Sequence, residues 1–99
     1  MEYVFDWDVR KAQTNARKHG VTFRRATAVF LDPRAVSMPD EEHSNDKERW
    51  VTLGLGAAGS VLVLVHTFTP LDAARCRVRI ISARRATKQE MQQYNEGAE

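Results

Sequence analysis

The chain reads as an α+β fold in two layers, an antiparallel β-meander with two helices before it and one after, in the order β-α-α-β-β-β-β-α. Three observations predict this. Residues 60–68, centred on Val61-Leu62-Val63-Leu64-Val65-His66-Thr67, are apolar on both faces and mostly β-branched or leucine, as a central strand requires. Residues 75–83 alternate, with Cys76, Val78 and Ile80 on one side and Arg75, Arg77 and Arg79 on the other, as a strand with one covered face does. The last strands follow one another through short turns that leave no length for crossover helices, so neighbours pair antiparallel and the helices collect on one face.

The elements follow in order. Tyr3-Val4-Phe5-Asp6 is a short β run, and Asp8 is the natural N-cap of a helix that reaches His19 and stops at Gly20. Val9, Ala12 and Ala16 give it a thin apolar stripe at i, i+3, i+7. Thr22 caps a second helix over residues 23–31, with Phe23, Ala26, Thr27 and Phe30 on its inner face, and Asp32-Pro33 ends it because the residue before proline is pushed out of the helical region. Strands follow at 35–38 and 49–55, separated by a polar, acidic connection over 39–47 that reads as a mobile loop. Gly54-x-Gly56-x-x-Gly59 has the spacing of a dinucleotide fingerprint, but it joins two strands and is read as a hairpin turn. Thr87-Lys88-Gln89-Glu90 has the spacing of a capping box and opens a last helix that ends near Tyr94 or Asn95.

Ninety-nine residues make room for one small domain, here 1–99 with a core at about 3–95, and such a chain buries only about 60 to 65% of its unfolded surface. No apolar run approaches the roughly 18 residues of a membrane span, and Met1-Glu2-Tyr3 lacks the layout of a signal peptide, so a cytoplasmic protein without a membrane partner is expected. The single cysteine excludes an internal disulfide framework and a multi-cysteine zinc site, and Cys76 reads as a core residue.

Charge is unevenly placed. The net value of +2 is the sum of two acid-free blocks of six bases each, over residues 9–31 and 73–88, and an acidic stretch between them. Two basic blocks brought together would form a surface for phosphates. Within them, arginine at alternate strand positions projects guanidinium groups about 6.5 to 7 Å apart, close to the spacing of successive phosphates, and arginine suits bidentate phosphate contacts. Arg79, Arg84 and Arg85 are read as a cluster where the strand meets the last helix, and Arg75 and Arg77 as either phosphate ligands or an ordinary exposed face. Lys18-His19-Gly20 closes the first helix. His19 is there either a helix-end cap or a proton donor and acceptor beside the basic surface. His66 reads as a core histidine before a catalytic one, and Trp7 and Trp50 as packing residues before base-stacking ones. Asp40-Glu41-Glu42-His43 has metal-ligand types but reads as a solvated loop, so neither a metal nor another cofactor is expected.

Several blocks carry a family resemblance: Phe5-Asp6-Trp7-Asp8, Asn15, Arg17-Lys18-His19-Gly20-Val21-x-Phe23, Ala26-x-x-Val29-Phe30, Asp32-Pro33, Glu48-Arg49-Trp50 and Arg79-Ile80-Ile81-Ser82-Ala83-Arg84-Arg85-Ala86-Thr87. Together they resemble the BrnT toxins of type II toxin–antitoxin modules, over residues 5–95. The resemblance implies a RelE-like fold and a growth-inhibiting ribonuclease. It also implies a neutralising BrnA-like antitoxin, usually a ribbon-helix-helix protein, with operator DNA bound only through that complex. Metal-free RNA cleavage by the 2′-hydroxyl needs charge stabilisation and proton transfer. His19, Arg79, Arg84 and Arg85 are the expected catalytic residues, and Lys18, Arg49, Arg75 and Arg77 the expected RNA ligands. A basic binding module without catalysis, paired with an antitoxin, is the alternative.

Overall fold

The computed structural model describes residues 1–40 and 48–97. Its elements are β1 (Glu2–Asp6), α1 (Val9–His19), α2 (Phe23–Ala26) continued by a 3₁₀ turn (Thr27–Leu31), β2 (Val36–Pro39), β3 (Trp50–Leu55), β4 (Val61–Pro70), β5 (Arg75–Arg85) and α3 (Lys88–Gly97). The α+β class and the element order agree with the sequence. The acidic connection read as a mobile loop, and with it most of the Asp40-Glu41-Glu42-His43 stretch, lies outside the described residues.

One five-stranded sheet runs in the order β1-β5-β4-β3-β2. From β2 to β5 it is the expected antiparallel meander, with Thr52 opposite Leu64 and Leu64 opposite Ala83. β1 adds a parallel edge, Glu2 opposite Arg75 through Asp6 opposite Arg79, so the sheet is mixed. The parallel pairing is possible because the whole of α1, α2 and the meander lies between the two strands in sequence.

The local signals act as read. Asp8 accepts the Lys11 N–H at 3.0 Å, and Thr22 accepts the Arg25 N–H at 3.2 Å. Gly20 takes a left-handed conformation (φ 68°) and donates to the Ala16 carbonyl, a conformation that suits glycine. The capping box closes both ways, Glu90 accepting from the Thr87 N–H at 2.9 Å and Thr87 Oγ1 from the Glu90 N–H at 3.2 Å.

The helical packing differs from the expected stripes. Val9 is 66% exposed, and the buried residue of α1 is Asn15. The cause is position: α1 lies beside β5 beyond the end of β1, where strand backbone would otherwise be bare. Asn15 Nδ2 donates to the Val21 and Ala83 carbonyls at 3.0 and 2.8 Å, and its Oδ1 accepts the Ala83 N–H at 3.1 Å. One side-chain amide thus extends the sheet by one residue's worth of hydrogen bonds. In the second helix, Phe23, Ala26 and Val29 are buried while Phe30 is half-buried. Phe23 and Ala26 are three apart on the α-helical turn, and the 3₁₀ winding that starts at Thr27, with three residues per turn, carries that line on to Val29 in place of Phe30. Gly54 is where this turn rests on the sheet: a Cβ there would stand 2.6 Å from Val29 Cγ1.

Two apolar clusters lie on opposite sides of the sheet. Leu62, Leu64, Val78, Ile80 and Ala83 pack under α2 with Phe23, Ala26 and Val29. Val63, between Leu62 and Leu64, packs instead with Leu53 and Tyr94 of α3. Alternation along β4 therefore puts α3 on the other face from α1 and α2, refining the expectation of helices gathered on one face. Trp7 stacks edge-on with Phe23 at 6.0 Å, and Trp50 with Phe68 at 5.6 Å, so both tryptophans serve packing.

Candidate functional site

A β-bulge in β5 decides where the arginines go. Val65 pairs with Ser82, but His66 pairs with Ile80, leaving Ile81 as the extra residue. Without the bulge, Arg85 would share a face with Arg75, Arg77 and Arg79. With it, Arg84, opposite Val63, shares that face, and Arg85, opposite Leu62, lies on the α2 side. The expected cluster of Arg79, Arg84 and Arg85 is therefore not assembled.

Arg84 is committed elsewhere. Its guanidinium donates to both carboxylate oxygens of Glu90, at 2.7 and 2.8 Å, tying β5 to the start of α3. The Arg84 hydrogen bonds, helped by the Thr87 N–H, hold the Glu90 carboxyl down at about 2, and Glu90 in turn raises the Arg84 pKa. Arg75 is paired in its own turn with Asp72 at 2.9 Å. Arg49 directly precedes β3, with its carbonyl accepting the Asp40 N–H at 2.8 Å, and it lines none of the hollows described below.

Three hollows bring together most of the remaining cations. The first, about 550 Å³, lies on the sheet face beyond α3 and is lined by Arg77, Arg79, Thr67, Thr69, Phe68, Asp6 and Glu48. Asp6, on β1 opposite Arg79, sits between the two arginines, 3.3 Å from Arg79 Nη1 and 3.6 Å from Arg77 Nε. Both arginine side chains stay nearly half exposed beside it.

The second hollow, about 330 Å³, lies along the seam of α1 and β5 and is lined by Arg10, Lys11, Thr14, Asn15, Lys18, His19, Ile81 and Ser82. No carboxylate lines it. Lys18 and His19 reach it from the last turn of α1, whose position Asn15 fixes against Ala83. Ser82 enters it because of the bulge. The first two hollows adjoin along β5, and Arg79 lies near enough to Asp8, the α1 cap, to help lower its pKa, after the larger contribution of the Lys11 N–H.

The third, about 210 Å³, lies on the α2 side between the α1–α2 turn and the β3–β4 hairpin, and Arg25 and Arg85 both line it. It begins at Gly20, the residue after His19.

His66 is in none of these. It is fully buried, its Nε2 2.6 Å from Thr52 Oγ1, which in turn lies 2.7 Å from Ser37 Oγ, and its ring meets Phe30 and Phe68 edge-on at 5.0 and 4.7 Å. Burial pushes its pKa down to about 4, which keeps the imidazole neutral. That is the core histidine the strand position suggested.

Sequence reasoning missed Asp6, Glu48, Arg10, Lys11 and Ser82 as site-lining residues. The parallel β1–β5 pairing and the bulge bring Asp6 and Ser82 into place, and neither leaves a local signal. Arg10 and Lys11 had one, since they belong to the first acid-free block. Among the described residues, no group of three or more His, Cys, Asp or Glu is placed to hold a metal, and no helix is long and apolar enough to cross a membrane.

Curated proteins yield no match to the chain. Among solved structures, the fold is similar to the crystal structure of the Brucella abortus ribonuclease toxin, BrnT, with a TM-score of 0.62 over 89% of this chain and 100% of that one, at 24% sequence identity. Residues 7–90 match the family described as "Ribonuclease toxin, BrnT, of type II toxin-antitoxin system". That match takes in α1, the bulged strand and all three hollows' cationic walls, and by it the chain belongs to the BrnT family of ribonuclease toxins.

Proposed function

We propose that the protein acts as a single-domain endoribonuclease in the cytoplasm, cutting RNA in the groove between α1 and β5 by attack of the RNA's own 2′-hydroxyl on the neighbouring phosphate. The supporting observation is that groove: a histidine and three cations, Arg10, Lys11 and Lys18, with no carboxylate, directly beside the arginine ladder. The 2′-oxygen bonds to phosphorus as the bond to the 5′-oxygen breaks, leaving a 2′,3′-cyclic phosphate and a 5′-hydroxyl. His19 is the group there that takes the proton from the 2′-hydroxyl and returns one to the 5′-oxygen, and Lys18, Arg10 and Lys11 oppose the charge that builds on the phosphorane. Arg77 and Arg79, oriented by Asp6, hold the phosphates that flank the cut. Arg84 and Arg85 take no part at this groove. No metal or cofactor is required by this chemistry.

Family membership carries with it an RNA target and a neutralising antitoxin. A BrnA-like ribbon-helix-helix protein is the proposed partner, with operator DNA contacted only through the complex.

The test is RNA incubated with the purified protein in excess chelator. Cleavage should persist, and should fall about a hundredfold or more in His19→Ala and at least tenfold in Arg79→Ala, with melting temperatures unchanged. RNA that is bound but left intact by the wild type would make the protein a binding module. Full activity in His19→Ala with loss in Glu48→Ala would move the cut to the sheet face, where Glu48 and Asp6 stand beside Arg77 and Arg79.

A further inference from the structure

The hollow on the α2 side has no part in the groove just described, yet it continues the same surface. We propose that it is a second RNA subsite, which holds one unpaired nucleotide next to the cleaved bond, its base in the apolar interior and its phosphate between Arg25 and Arg85. This rests on the ribonuclease reading and adds where the substrate's sequence is read.

Size and lining suit a base. The hollow is about 210 Å³, with Val21, Ala57, Ala58 and Leu62 as apolar wall. A dry cavity of about 150 Å³ already admits a benzene ring. Arg25 and Arg85 line it without a carboxylate partner among the described residues, and no acid lines it at all. Guanidinium planes both stack on bases and pair with phosphate. Ser60 adds a hydroxyl to the same lining.

The walls are fixed before any ligand arrives. On one side the α1–α2 turn is set by Gly20 and by the bond from Asn15 to the Val21 carbonyl. On the other the hairpin is closed by the Gly56 N–H donating to the Ser60 carbonyl at 2.8 Å. Continuity argues for RNA over a protein segment: Gly20 of this hollow directly follows His19 of the groove, so one strand crossing the groove can run on into the pocket.

The experiment titrates the four nucleoside 5′-monophosphates and a 2′-O-methyl hexanucleotide, which cannot be cut, into the full chain. The proposal expects unequal binding of the four mononucleotides. It also expects a tenfold or greater loss of affinity for the preferred one in Arg25→Gln/Arg85→Gln, and loss of base preference at one position beside the cut. Ala58→Trp, at the exposed hairpin tip, should also abolish the preference. Unchanged nucleotide affinity in the double variant beside intact cleavage refutes the pocket alone. Wild-type protein that leaves RNA uncut refutes the ribonuclease reading instead. A double variant that binds nucleotides normally but no longer binds the antitoxin makes the hollow a protein-docking site and overturns the proposal.

Discussion

Two buried polar residues carry more of the structure than their number suggests. Asn15, itself buried, satisfies three backbone groups, the Val21 and Ala83 carbonyls and the Ala83 N–H. Asn15→Ala leaves all three without partners, and a cost of about 3 kcal/mol is expected in urea denaturation, more than its small volume change would bring. His66 sets a pH dependence. Its folded pKa is about 4 against 6.5 when unfolded, so between those values the unfolded chain binds a proton that the folded one refuses. The contribution is intact above about pH 6.5 and is lost as pH falls toward 4, by about 3 kcal/mol in all. Denaturation midpoints across that range should show the decline, and His66→Phe should flatten it, since Thr52 keeps its bond to Ser37. Of these two residues, His66 was legible from its place in an apolar strand. Asn15 was not, because a polar residue buried for the sake of backbone is invisible to hydrophobic periodicity.

At the level of elements, caps and breakers were read directly. Asp8, Gly20, Thr22, Pro33 and the Thr87/Glu90 box each act over three or four residues, which is the range a sequence exposes. What escaped depends on partners distant in sequence: the parallel edge of β1, the side of the sheet that α3 takes, and the shift from α to 3₁₀ winding over Gly54. The last helix is held chiefly by Glu90, through its cap and Arg84, and by Tyr94, whose hydroxyl donates to Asp32 Oδ2 at 2.6 Å. Glu90→Ala removes the cap and the ion pair together. A loss of about 1 to 2 kcal/mol is expected, discounted because the Arg84 side chain is 40% exposed, with amide exchange rising in α3 before β5. Equal exchange in both elements would show that α3 is secured by packing alone.

For the whole molecule, the two basic blocks of the sequence do meet, but as a belt of three hollows and not as one patch. Arg77, Arg79, Arg10, Lys11, Lys18, Arg25 and Arg85 line it in turn. If all seven cations engage single-stranded RNA, log affinity against log salt should fall with a slope of about −5, and by about 1.4 less in Arg25→Gln/Arg85→Gln. A slope near −1 would mean that most of the belt stays in water. The belt owes its layout to the bulge at Ile81, which gives β5 a count of one residue more than β4. Deleting Ile81 alters no charge and removes no arginine, and it leaves the pairings as they are: Ser82 would follow Ile80 in strict alternation, with Arg84 still opposite Val63, beside Glu90, and Arg85 still opposite Leu62. A substitution at any one of these positions disturbs one contact. Losing the bulged residue disturbs none of the pairings, so the bulge absorbs a one-residue difference in length between β4 and β5.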